Sequence, residues 1–223
     1  LLQLDPASGG IIAAHGEALG QTLAIEAATG RIYVASGRGI EIFDPLTGQI
    51  SHFSDSRVGD LAFAPDGSLW GAAWPNRGLI LRFDAKGQAE AVADIGHGAD
   101  SLAFGPSGSA LEGLLFVSTN RDASTGQGRL VLVDVATHAW LDLVHAPARG
   151  DNMAFTADGR LLVAMGAGIE IVNPAISPSV LGISPPSGTL LMQPIAQAVV
   201  EFDQPMMMTG KGSALNPDNF MLV

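Results

Sequence analysis

The stretch IEIFDPLTGQ, residues 40–49, decides the fold of this chain. It begins with the β-branched and aromatic side chains that favour a short strand, and it continues through Asp44 into a turn that Gly48 closes. The same order of strand, Asp or Asn, and turn returns along the chain, at spacings of 39, 40, 50 and 39 residues. The five copies are centred on Asp5, Asp44, Asp84, Asp134 and Asn173. An internal repeat therefore organises the chain.

A second marker recurs in phase with the first. The segment LAFAPDGSLWGAA, residues 61–73, has counterparts that begin at Leu23, Leu102 and Met153. These starts lie 38, 41 and 51 residues apart in chain order, so both markers agree on a period of about 40 residues. The third copy carries an insertion of about ten residues.

Each copy contains four short strand candidates, which in the second copy are residues 60–64, 68–73, 79–83 and 89–95. A four-stranded antiparallel unit of about 40 residues is one blade of a β-propeller, and it cannot bury both faces alone. We predict an all-β chain with a partial β-propeller of about four to five four-stranded blades. Large side chains at one second-strand position are predicted to pack between blades: Tyr33, Trp70, Phe116 and Leu162.

Composition narrows the classes of function. Hydrophobic residues make up 47% of the chain and charged residues 15%, which is enough apolar material for a core. A net charge of −11 argues against nucleic acid as a partner, because nucleic acid needs a basic surface. No apolar run approaches the roughly 20 residues of a membrane span, so we expect no membrane insertion. The absence of cysteine excludes disulfides and thiolate chemistry.

The repeats resemble the NHL, YVTN and gluconolactonase-like group of β-propellers, whose blades carry a LAF-PDG-LYVA and I-V-FD-TG pattern. The resemblance covers residues 1–175, and it implies a fold shared by binding modules, scaffolds and some hydrolases. The chain opens on the third strand of a blade. Either further blades lie upstream of Leu1, which we favour, or the ring is unusually small.

Residues 176–223 do not continue the repeat. Residues 176–184 are expected to be a Pro-rich linker. Residues 185–223 resemble the start of the bacterial Ig-like domain of S-layer proteins and adhesins, which predicts a truncated Ig-like β-sandwich. The resemblance is carried by residues Pro185 to Gly188, Ala198 to Phe202, Pro205-Met206 and Asn219 to Leu222.

Two places invite a metal ion, whereas no nucleophile motif predicts a catalytic residue. The first is a polar ring at the start of the innermost strands, where Ca²⁺ or another divalent cation is possible through Asp60, Asp100, Asp151 and Asn152. The segment from Asp151 to Phe155 resembles the metal-bearing segment of gluconolactonase-like hydrolases. The alternative is that these residues cap strands and turns. The second place is the insert at 120–128, which is either a Ca²⁺ loop or a plain hairpin loop.

The favoured function is a non-catalytic interaction or scaffold segment of a large secreted or cell-surface bacterial protein of adhesin type. Its partner would be a protein or a glycan, and its location extracellular. Two alternatives stay open. One is a shell or stalk part of a large toxin-like protein, and the other is a metal-dependent lactonase-type hydrolase.

Overall fold

The computed structural model describes residues 1–16, 20–75, 78–120, 126–146, 150–165, 168–172, 180–185 and 199–202. Over these residues the chain is all-β and contains no helix, and so no helix that could cross a membrane. It divides into two compact units, Leu1–Ala175 and Ile176–Val223. The first unit has a four-blade β-propeller arrangement, which confirms the predicted fold class for the repeat region.

The blades follow one another in chain order, and each is an antiparallel sheet whose strands pair with their sequence neighbours. An N-terminal hairpin precedes them, with strands β1 (Leu2–Leu4) and β2 (Ile11–Ala14). Blade 1 contains β3 (Gly20–Ile25), β4 (Ile32–Ser36), β5 (Gly39–Asp44) and β6 (Gln49–Ser54). Blade 2 contains β7 (Val58–Phe63), β8 (Leu69–Ala73), β9 (Leu79–Phe83) and β10 (Ala89–Asp94). Blade 3 contains β11 (Ala99–Phe104), β12 (Leu114–Thr119), β13 (Gly128–Asp134) and β14 (Trp140–Ala146). Blade 4 contains β15 (Gly150–Phe155), β16 (Leu161–Met165) and β17 (Gly168–Val172).

The first strands of the four blades contact one another in turn, from β3 to β7, β11 and β15. They are therefore the innermost strands, and each blade extends outward from them. We call the face that a blade turns toward the preceding blade its front face, and the opposite face its rear face. Three separate hydrophobic clusters fill the three spaces between consecutive blades.

An aromatic pair repeats at each of these interfaces. The rear-face residues Tyr33, Trp70 and Phe116 meet, edge to face, a phenylalanine from the first strand of the next blade. The ring centroids of Trp70 and Phe104 lie 5.7 Å apart, and those of Phe116 and Phe155 lie 5.3 Å apart. Edge-to-face contact is the favoured geometry of two aromatic rings. The predicted packing of large side chains between blades is confirmed at these three positions.

The aspartates of the repeated turn motif act as acceptors for the turn itself. The carboxylate of Asp44 accepts the backbone N–H groups of Leu46 and Thr47, and that of Asp134 accepts those of Ala136 and Thr137. These hydrogen bonds favour the ionised carboxylate, and the bond from the Thr137 backbone is the main reason that the pKa of Asp134 lies below its ordinary value. The motif that reveals the repeat thus closes the hairpins at Asp5, Asp44, Asp84 and Asp134.

The second unit contains one two-stranded antiparallel sheet, with β18 (Val180–Ser184) paired to β19 (Val199–Phe202). The linker expected over residues 176–184 is therefore wrong for 180–184, where apolar residues between prolines form a paired strand. Most residues of the Ig-like motifs lie outside the described part of the chain. The predicted sandwich stays a prediction.

Gly87 gives a test of how closely the blades pack. It has a φ of +78°, and a Cβ atom placed there would lie 1.8 Å from the carbonyl oxygen of Phe53, in the neighbouring blade. Gly67 has a similar φ of +82° but no atom within 4 Å. We expect Gly67→Ala to lower the free energy of unfolding by about 1–2 kcal/mol through backbone strain alone, and Gly87→Ala to lower it further. Urea denaturation measures both, and equal losses would contradict the close approach.

Candidate functional site

A β-bulge recurs at the same place in the first strand of every blade. The pairing register of β3, β7, β11 and β15 with the following strand shifts by one residue near the start of each strand. A bulge leaves one residue out of the ladder and re-aims its side chain. The four residues left out of the pairing are Gln21, Gly59, Asp100 and Asp151.

All four bulge residues line one pocket of about 380 Å³, which we call the mouth pocket. It lies among the starts of the innermost strands, where the four blades meet. The complete lining is Gln21, Thr22, Gly59, Asp60, Trp74, Asp100, Asp151 and Asn152. The sequence-predicted residues Asp60, Asp100, Asp151 and Asn152 are thus brought together from three different blades.

Asp60 is the buried member of this set, and its carboxylate ties three blades together. Its Oδ1 atom accepts the hydroxyl of Thr22, from blade 1, at 2.6 Å. Its Oδ2 atom accepts the hydroxyl of Ser101 and the backbone N–H of Leu102, both from blade 3, at 2.8 Å. The backbone N–H of Leu61 completes the set at 2.9 Å to Oδ1. A carboxylate offers about four acceptor positions, so the acceptor capacity of Asp60 is in use.

The network continues into blade 4. The Ser101 hydroxyl oxygen accepts the backbone N–H of Met153 at 3.0 Å, and the Ser118 hydroxyl donates to the carbonyl of Gly150 at 2.7 Å. Thr22, Asp60, Ser101 and Met153 therefore form one hydrogen-bonded chain across the innermost strands of all four blades. Hydrogen bonds to a charged acceptor away from water are stronger than neutral ones.

This geometry bears on the predicted cation site. A metal ion at Asp60 would have to compete with four protein donors. Asp100 accepts the side-chain amide of Asn120 at 3.2 Å. Within the described part of the chain, no three His, Cys, Asp or Glu side chains are grouped so as to hold a metal ion. The cation site through Asp60, Asp100, Asp151 and Asn152 stays a prediction, as does the alternative that these residues cap strands and turns.

Trp74 is a pocket residue that the sequence did not predict. It directly follows β8, whose last residue pairs with the first residue of β7, because antiparallel neighbours place the end of one strand beside the start of the other. The repeat predicts that these two strands are antiparallel neighbours, and this pairing could have placed the residue after the second strand beside the start of the first strand, at the mouth. Trp74 adds an indole face to a pocket otherwise lined by oxygen and amide groups.

The second predicted cation site falls mostly outside the described residues. Of the insert at 120–128, the structure describes Asn120 and residues 126–128. Asn120 lies next to Asp100 at the mouth, and Gly128 begins β13. Whether the insert wraps a Ca²⁺ ion therefore stays a prediction.

No protein-family model and no curated protein matches this chain. Solved structures do. The extracellular domain of a one-component system from B. thetaiotaomicron is 10% identical, covers 85% of this chain and 26% of its own, and has a TM-score of 0.57. A gluconolactonase-family protein is 21% identical, covers 68% of this chain and 59% of its own, and has a TM-score of 0.52. A structure of a nidogen/laminin complex is 15% identical, covers 78% of this chain and 70% of its own, and has a TM-score of 0.60.

The chain thus spans about a quarter of the sensor domain and somewhat more than half of the gluconolactonase-family protein. At these identities the likeness concerns the fold. The structures that this chain resembles are β-propellers, and the chain is an all-β protein whose repeat region has the β-propeller arrangement.

Asp60 provides the direct test of the network. In Asp60→Asn, the amide nitrogen faces two hydrogen-bond donors and cannot accept from them. We expect the free energy of unfolding to fall by about 3 kcal/mol, because hydrogen bonds to a buried charged group are lost. Chemical denaturation measures the change.

The matched control is Asp84→Asn in an exposed turn. The Asn oxygen there still accepts the backbone N–H groups of Lys86 and Gln88, so we expect a change within about 0.5 kcal/mol. Ser101→Ala is a milder variant of the network, with an intermediate loss. Equal stability of the Asp60 and Asp84 variants would show that the tie between blades contributes little.

Proposed function

We propose that this chain is a non-catalytic interaction module of an extracellular or cell-surface bacterial protein, of the adhesin-like kind, and that the mouth pocket is its contact site. The single observation that carries the proposal is the hydrogen-bonded chain through Asp60. These hydrogen bonds make the mouth a rigid surface, and they engage the buried Asp60 carboxylate with groups of the protein itself. A rigid scaffold that presents exposed polar groups is suited to binding.

The similar structures support this role. Among them are extracellular domains of sensor proteins from B. thetaiotaomicron and a nidogen/laminin complex. The extracellular location is proposed from the same likeness. The partner is proposed to be a protein or glycan at a surface.

The pocket lining favours a partner protein that brings a basic side chain. Asp100 and Asp151 line the pocket together with Trp74, and an arginine side chain can pair with carboxylates and stack on an indole. The net charge of −11 also steers a basic partner toward this chain. A glycan would instead use the indole face and the amides of Gln21 and Asn152.

The test uses the blocked peptide acetyl-Gly-Gly-Arg-Gly-Gly-amide, with tryptophan fluorescence at low salt as the signal of binding. The double variant Asp100→Asn, Asp151→Asn should bind the peptide up to about thirtyfold more weakly, because each of the two surface ion pairs contributes at most about 1 kcal/mol.

The control is the double variant Asp55→Asn, Asp94→Asn, which makes the same change of charge at exposed positions outside the pocket lining. It should retain most of the affinity. Equal weakening by both variants would indicate a diffuse charge effect. If the unmodified chain binds neither the peptide nor any glycan on an array, the interaction proposal is contradicted.

One observation favours a second candidate, the metal-dependent hydrolase. Asp100, Asp151 and Asn152 do gather at one pocket, and one similar structure is a gluconolactonase-family protein. A cation that binds only the folded state at 100 times its Kd stabilises the fold by about 2.7 kcal/mol. On the interaction proposal, we expect no rise in Tm on adding Ca²⁺, Mg²⁺, Mn²⁺ or Zn²⁺ in a melting experiment. A rise that disappears in Asp100→Asn, Asp151→Asn would favour the hydrolase.

A further inference from the structure

A second pocket lies at the end of the innermost strands that is opposite the mouth. There the first strand of each blade turns into the second strand, and the turns of blades 1, 2 and 3 line a pocket of about 600 Å³, which we call the turn pocket. Of its twelve lining residues, five belong to blade 2 and three to blade 3. Hydrophobic clusters cover both faces of these two blades, so most of the pocket wall comes from complete interfaces.

The wall of the turn pocket is mainly apolar. The rings of Phe63 and Phe104 are half-buried, since each packs on an aromatic ring of the preceding blade and also lines the pocket. The exposed residues Ala27, Ala28 and Pro65 line it as well. Pockets of about 300–1,000 Å³ with apolar walls and a few polar groups are typical of sites for small organic molecules.

Both charged residues of the described lining are acids, Glu26 and Asp66. Ser68 donates its hydroxyl and its backbone N–H to Oδ1 of Asp66, at 2.6 and 2.9 Å. These two bonds, the hydroxyl bond foremost, hold the pKa of Asp66 below its ordinary value, so this carboxylate is negative at neutral pH. Arg82 lies 3.7 Å from Oδ2 of Asp66 and offsets part of that charge.

The charge of Glu26 reaches the aromatic wall of the pocket. Its Oε2 atom accepts the hydroxyl of Thr29. Burial raises the pKa of the Tyr33 hydroxyl, and the negative charge of Glu26 raises it further. The Tyr33 ring packs 5.1 Å from that of Phe63, so the field of Glu26 acts beside the apolar surface. The turn pocket thus combines aromatic walls with a negative potential.

We propose that the turn pocket binds a small organic cation, namely an amine with an aromatic body. The body would contact Phe63 and Phe104, and the ammonium group would lie near the carboxylates of Glu26 and Asp66. The site is separate from the mouth pocket, because the two pockets have no lining residue in common and lie at opposite ends of the innermost strands. The same charges disfavour an anion of equal size.

The probe is 2-phenylethylamine at pH 7, followed through the backbone amide resonances of Gly67 and Gly105, which line the turn pocket. Both resonances should shift saturably, whereas that of Gly59, in the mouth pocket, should not. The neutral analogue 2-phenylethanol should bind about three- to tenfold more weakly, because it lacks the charge. The anion 3-phenylpropionate and the ring-free ethylamine should give no saturable shift.

The double variant Glu26→Gln, Asp66→Asn should bind 2-phenylethylamine only as weakly as 2-phenylethanol, and its affinity for 2-phenylethanol should not change. The control Asp84→Asn, Glu170→Gln makes the same change of charge at exposed positions outside both pockets, and it should bind like the unmodified chain. Amide spectra that otherwise superimpose show that each variant is folded.

Three outcomes overturn the proposal. The first is the absence of a saturable shift at Gly67 and Gly105 in the unmodified chain. The second is equal affinity for the cationic, neutral and anionic phenyl compounds, which would show that the carboxylates do not select the ligand. The third is equal weakening by the two double variants, which would show a diffuse effect of net charge and no site.

Discussion

The packing of one blade's rear face on the next blade's front face is the constraint on which the rest of this structure depends. A four-stranded antiparallel sheet with apolar side chains on both faces exposes one of them unless a second sheet covers it. The three hydrophobic clusters and the aromatic pairs meet this need between consecutive blades. Because every interface uses the same positions, the blades succeed one another with the same geometry. Their innermost strands therefore converge, and the starts of these strands form a common mouth.

The mouth is held by polar contacts rather than by apolar ones. Asp60 accepts hydrogen bonds from blades 1, 2 and 3, and Ser101 extends the chain of contacts to blade 4. A buried carboxylate is stable only where donors replace the water it has lost, and here the donors come from the strand starts that the blade packing gathers. The repeated bulges then turn Asp100 and Asp151 toward the same pocket.

Particular residues show which features of the structure could be predicted from the sequence. The repeat markers predicted four strands in blade 2 over 60–64, 68–73, 79–83 and 89–95, and β7 to β10 lie there. Tyr33, Trp70 and Phe116 were placed between blades because large apolar side chains at one repeat position need a common environment. The sequence failed at residues 180–184, where nearby prolines suggested a linker and β18 forms instead. Trp74 was missed because it lies one residue beyond the repeat marker, which ends at Ala73.

The sequence by itself determined the repeat, the strand order within each blade, the Asp-capped turns and the gathering of polar residues at the strand starts. These follow from local patterns, since a strand, a turn and a period are properties of neighbouring residues. Only the tertiary structure decided what the gathered residues do. In the sequence Asp60 and Asp100 are both acids near the start of a predicted first strand, yet Asp60 is enclosed by donors from three strands whereas Asp100 lies in a β-bulge. That difference depends on pairing register and on residues some 40 positions away, which no local pattern contains.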